Sequence, residues 1–132
     1  MNYLTMLEIA DMFADSLDFG NITANSIDET QNKTIGIYQR ADFSPRECIG
    51  TDSSYETAKV RLLLRWGNNP AEAEQKASEI GGTVQALRDM PTAEHIIKFA
   101  DLKAVRYLGK DEKGICEYAI DADIIYSERN EE

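Results

Sequence analysis

The sequence holds one histidine, His95, and two cysteines, Cys48 and Cys116, in 132 residues. That scarcity removes several chemistries at once. A nucleophile with its base and orienting acid cannot be built around a lone histidine at the edge of a predicted strand. The cysteines have no Cys-x-x-Cys spacing and no histidine at ligand spacing, so a zinc site lacks support. Without a secretory signal they read as reduced thiols. Basic residues are short too: 14 Lys and Arg against 24 Asp and Glu leave a formal net charge of -10. The chain as a whole lacks the positive field that draws nucleic-acid phosphates, and direct nucleic-acid binding is not expected. No apolar run is long enough to span a bilayer. Met1 to Gly20 carries Glu8, Asp11, Asp15 and Asp18 and no basic residue, unlike the basic start of a signal peptide. Asn68-Asn69-Pro70 lacks the glycines and the lysine of a phosphate loop. No membrane partner and no cofactor are expected.

What is present supports a folded chain. Hydrophobic residues make up 42% of the sequence and prolines number only three, which argues against disorder and for one core. We expect a single α+β domain over residues 1–132, with an irregular loop at 41–54 and a frayed polar tail at 127–132. From Asn2 to Leu17, Met6, Ile9, Phe13 and Leu17 recur at helical spacing, and the opposite stripe, Leu4, Glu8, Asp11, Asp15 and Asp18, is mostly acidic. That acidic face is either solvated or a docking surface. A second helix is predicted after Asn69, which can cap, and Pro70, which suits the first helical position. Ala73, Ala77, Ile80, Val84 and Leu87 form its apolar stripe. Gly81-Gly82 interrupts the stripe and predicts either close helix-to-sheet packing, the favoured reading, or a local break.

Strand signals come from Thr34 to Arg40, from Tyr55 to Trp66 and from the half of the chain after Pro91. Between Tyr55 and Trp66 the alternation is clear: Ala58, Val60, Leu62, Leu64 and Trp66 face one way, Lys59, Arg61, Leu63 and Arg65 the other. After the turn Lys110 to Gly114, Cys116, Tyr118, Ile120, Ala122, Ile124 and Tyr126 alternate with Glu117, Asp121 and Asp123. The order helix, strand, strand, helix, strand, strand predicts an α+β fold: an antiparallel-dominated sheet of about four strands with two helices packed on one face.

The residues singled out for function are two stripes of opposite charge. Lys59, Arg61 and Arg65 lie on one strand, and Glu117, Asp121 and Asp123 on another. If the strands are neighbours the stripes pair internally; if they lie apart, copies of the chain can pair them across a subunit interface. The loop residues Pro45 and Arg46 complete the candidate interface. Because Arg61 and Arg65 fall on the non-core face, reversing both charges is expected to weaken assembly without unfolding the monomer. The three carboxylates share a face and could reach a hard cation, although alternating carboxylates on an exposed strand more often match basic groups or confer solubility.

Three stretches together resemble the phage minor capsid and tail terminator proteins of tailed phages and prophages. They are Thr34-Ile35-Gly36-Ile37-Tyr38 with the Pro45 to Gly50 loop, Val60 to Gly67 running into Ala71-Glu72-Ala73-Glu74, and Tyr107 to Tyr118 leading to Ile124-Ile125-Tyr126. The resemblance implies a structural α+β subunit with no enzymatic site. It implies assembly with copies of itself, typically as a hexameric ring, at the head-proximal end of a tail, with tail-tube and head-connector proteins as partners. Arg106 and Lys110 stand where the family commonly has Pro and Arg around the third motif. The implied location is the virion, after assembly in the host cytoplasm. Two other classes are open: an acidic binding module that imitates nucleic acid on a host protein's basic site, and a small enzyme using Asp121 and Asp123 with a metal.

Overall fold

A computed structural model describes residues 4–16, 21–27, 32–40 and 55–128. Helix α1, Met6–Ser16, begins where the Thr5 hydroxyl accepts the Glu8 N–H at 3.1 Å, which satisfies one of the free donors of the first turn. It buries Met6, Ile9, Met12 and Phe13 and leaves Leu7, Asp11 and Asp15 outside. Strands β1, Asn21–Ala24, β2, Lys33–Gln39, and β3, Glu56–Trp66, follow. Helix α2, Pro70–Gln85, starts as its sequence foretells, with the Asn69 side chain accepting the N–H of Ala71 at 3.0 Å and of Glu72 at 3.4 Å. Strands β4, Arg88–Pro91, β5, His95–Lys110, and β6, Cys116–Glu128, complete the fold.

The sheet corrects the sequence expectation. It has six strands in the order β1-β2-β3-β6-β5-β4, not about four, and it is mixed, because β1 runs parallel to β2. The two strands that escaped, β1 and β4, are four residues each, too short for a period of two to stand out. Pro91 sits in β4, an edge strand, where its missing N–H costs no ladder bond. β5 falls in the half of the chain expected to be strand-rich, and register shifts at Ile97/Phe99, Leu102/Ala104 and Tyr107/Gly109 break its alternation three times. β6 runs through Ser127, which is buried, to Glu128. Residues 129–132 and the loop at 41–54 lie outside the described residues.

The core lies on one face of the sheet. Ala58, Val60, Leu62 and Leu64 of β3 and Ile120, Ala122, Ile124 and Tyr126 of β6 join Ile9 and Phe13 of α1 and Ala77, Ile80 and Val84 of α2 in one buried cluster. Both helices therefore pack on the even-numbered side of β3. No described helix covers the odd-numbered side. Gly81 lets α2 come close to β5, because a Cβ there would stand 3.3 Å from Val105 Cγ2 and 3.5 Å from Leu102 Cδ2, whereas one at Gly82 would meet nothing within 4 Å. Gly82→Ala is accordingly expected to raise unfolding free energy by about 0.5–1 kcal/mol through helix propensity. Gly81→Ala should gain less or nothing, a contrast that urea titration of the two variants measures.

Candidate functional site

The charged stripes meet on the uncovered face, and the register explains how. β3 and β6 are antiparallel neighbours in which Lys59 stands opposite Asp123, Arg61 opposite Asp121 and Arg65 opposite Glu117. Directly opposed side chains on one face of such a pair lie within contact distance. Arg61 donates from Nε to Asp121 Oδ1 at 2.7 Å and from a terminal nitrogen to Oδ2 at 3.1 Å, a bidentate fork. Arg106 of β5 reaches the same carboxylate at 3.3 Å. The Arg61 hydrogen bonds hold the Asp121 carboxyl below its ordinary range against burial, which pushes it up, and the charges of Arg61, Arg106 and Arg40 add to the lowering.

Asp123 is held from two sides. Arg40, just past β2, donates to it at 2.8 Å, and Lys103 of β5 approaches at 3.9 Å. Next to these groups Tyr38, Leu63, Leu108 and Ala119 line an open groove of about 500 Å³ together with Arg40, Arg61 and Arg106. The face thus alternates fixed ion pairs with apolar patches. It has the make-up of a protein-contact surface rather than of a pocket that sequesters a reacting atom.

Arg65 departs from expectation. Its side chain is only 3% exposed, and it binds Asp111 of the β5–β6 turn as well as Glu117, the latter at 3.5 Å. Asp111 accepts the N–H groups of Lys113 at 2.8 Å and Ile115 at 2.9 Å. The Ile115 N–H, followed by Arg65, holds its carboxyl below the ordinary range against burial. Gly114 closes this turn at φ 80, a left-handed conformation that glycine adopts without strain. Arg65 therefore ties the turn to the end of β3 and, unlike Arg61 on the same face, is buried by its partners.

A second polar cluster lies on the other side of the sheet. The Glu8 carboxylate of α1 receives the Thr92 hydroxyl, the Glu94 N–H at 2.8 Å and His95 Nδ1 at 2.9 Å. An ionised carboxylate only accepts, so the Nδ1 nitrogen carries the hydrogen. His95 is 1% exposed and stands edge-on to Tyr126 with ring centroids 5.2 Å apart. The cluster is a clamp between α1 and the start of β5. Glu8 and Thr92 also line a cleft beside Asp11 and Asp15.

Of the residues proposed from sequence, the structure brings Arg61, Asp121 and Asp123 into one network and Arg65 and Glu117 into another, while Lys59 occupies its register position opposite Asp123. The realised alternative is internal pairing. Pro45 and Arg46 lie outside the described residues. Sequence reasoning missed Arg40, Lys103, Arg106 and Asp111 as ion-pair partners. The signal for Arg106 was its place on the strand that a short turn joins to β6. Among the described residues no group of three or more His, Cys, Asp or Glu side chains could hold a metal ion. The acidic stripe of β6 faces arginines instead.

The family model described as bacteriophage tail terminator protein matches residues 3–128. No curated protein matches the chain.

Proposed function

We propose, from the premise that the chain belongs to the bacteriophage tail terminator family, that it assembles with copies of itself into a hexameric ring that closes the head-proximal end of a tail tube and joins it to the head. Membership carries a structural role in the phage tail, and the observation behind it is a match that spans all eight elements of the fold. The chemistry of the described surface supports the finer reading. On the uncovered sheet face Asp121 and Asp123 are held by arginines, which suits a surface of fixed shape presented to another protein. The same pairing disfavours the nucleic-acid mimic, which needs carboxylates presented to a partner in an unbroken row. Metal-dependent catalysis through Asp121 and Asp123 is disfavoured for the same reason, because arginines occupy the coordinating oxygens. Assembly would take place in the host cytoplasm, with the subunit retained in the finished virion.

The test is electron microscopy of tail tubes polymerised with and without this protein. A ring at one end and a narrowed distribution of tube lengths are expected. Unaltered lengths with bare ends would move the subunit to another position in the neck.

A further inference from the structure

We propose that the outer edge of β5 seats against the exposed acidic stripe of α1 in a second copy of the chain, and that this contact, repeated, builds the assembly. The proposal rests on the ring reading above and names its surfaces. β4 accompanies β5 only at Ile96, Ile97 and Phe99. From Ala100 to Lys110, β5 has β6 on one side and no described strand on the other. Along this open edge Val105, Tyr107 and Leu108 are 40%, 53% and 47% exposed. Large apolar groups beside unpaired main-chain donors and acceptors mark an association surface.

Charge selects the occupant. In a chain of net charge -10, residues 100–113 carry Lys103, Arg106, Lys110 and Lys113 against Asp101, Asp111 and Glu112, and Asp101 and Asp111 are already held by Lys103 and Arg65. Lys110 and Lys113 have no ion-pair partner among the described residues, and Arg106 shares with Arg61 a single carboxylate that Arg61 already grips bidentately. The complementary surface is on the same chain. The first basic residue of the sequence is Lys33, and before it come Glu8, Asp11, Asp15, Asp18, Asp28 and Glu29. Asp11 and Asp15 lie exposed on α1 with no ion-pair partner among the described residues. They share an i, i+4 stripe with Leu7, which is 60% exposed. Beside them Met12, Pro91 and Ala93 help line a cleft of about 410 Å³.

One chain cannot satisfy both surfaces by itself. The Glu8–His95 contact fixes the beginning of β5 to α1, and Lys110 lies at the far end of that 16-residue strand, up to roughly 50 Å away at about 3.3 Å per residue. Two copies placed head to tail can bring the surfaces together. A contact between two different patches is heterologous, so it propagates and closes into a ring when the rotation permits. Exposed apolar groups would supply most of the affinity, and the opposed charges the orientation.

A charge swap tests this. Lys110→Glu with Lys113→Glu makes an edge-reversed protein; Asp11→Lys with Asp15→Lys makes a helix-reversed one. All four side chains are exposed and without ion-pair partners among the described residues, so circular dichroism should be native for both. Each variant alone is expected to associate at least about tenfold more weakly than wild type, read by sedimentation velocity and native mass spectrometry. An equimolar mixture of the two should recover wild-type association as alternating rings with even numbers of subunits. Either variant assembling alone like wild type, or a mixture that stays dissociated, overturns the proposal. So does wild-type protein that remains monomeric both free at about 1 mM and on tube ends. The readout separates this inference from the capping function. Rings that obey the swap but leave tubes uncapped overturn capping alone, and tubes capped by each single variant overturn the interface alone.

Discussion

Arg65→Met should lower the unfolding free energy by about 2–3 kcal/mol, somewhat below the 3–5 kcal/mol typical of breaking a fully buried pair, because the carboxylates left behind reach water. Arg65 is buried to 3% exposure between Asp111 and Glu117, whose side chains are 22% and 27% exposed. Removing the guanidinium leaves two carboxylates facing one another and a turn without its tie to β3. The methionine replaces part of the apolar stem that Arg65 packs against its neighbours, so most of the loss is electrostatic. In a chain of this length the melting temperature should fall by roughly 8–12 °C. Adding Glu117→Gln to Arg65→Met should recover part of that loss, since one of the two uncompensated charges is gone. Arg61→Met is the control. Its side chain is 42% exposed, and the loss there should stay below about 1 kcal/mol. Equal melting temperatures for Arg65→Met and Arg61→Met would refute the distinction.

The contrast between these two arginines marks the limit of strand periodicity. The alternation from Ala58 to Trp66 correctly separates a core side from a charged side, and Asn69-Pro70 correctly starts α2, because each signal is contained within a few residues. Periodicity assigns a side chain to a face but says nothing about what covers that face. Arg61 and Arg65 share a face and differ more than tenfold in exposure, and the difference comes from Asp111, which lies 46 positions away in sequence. The same limit hid β1, whose identity as a strand depends on pairing with Thr34 to Ile37 and not on its own four residues. It also hid the open edge of β5: the bulges scatter Val105, Tyr107 and Leu108 out of register, so their exposure follows from where β4 stops. Lys59, Arg61 and Arg65 were legible as charged. Which charges are neutralised within the chain, and which remain for a partner, is decided only by the strand order.

Loss of the Glu8 carboxylate should loosen the other end of the molecule. The groups it joins are 87 positions apart, and no local pattern links them. In Glu8→Ala the Thr92 hydroxyl, the Glu94 N–H and His95 Nδ1 all lose their common acceptor. Glu94 is exposed and can turn to water; His95 is 1% exposed and cannot do so readily. An unsatisfied buried donor dominates the cost, which should be about 2 kcal/mol. Hydrogen exchange should rise in α1 and at the start of β5 and remain unchanged at the β5–β6 turn. The pH dependence gives a second readout. Burial pushes the Glu8 carboxyl up, but the hydrogen bonds from Thr92, His95 and Glu94, with the charge of His95, outweigh it and leave the group below its ordinary value of 4.5. The unfolded chain then binds more protons than the folded one as pH falls past 4.5. The contribution of Glu8 is thus complete above that value and is lost as pH drops through the folded-state pKa. The stability gap between wild type and Glu8→Gln should hold level from neutrality down to about 4.5 and narrow below that value. Some acid sensitivity should survive in the variant, because Asp111 and Asp121 are held low in the same direction. A gap that stays constant well below 4.5, through the range in which Glu8 becomes protonated, would mean that the carboxylate's charge contributes nothing to the clamp.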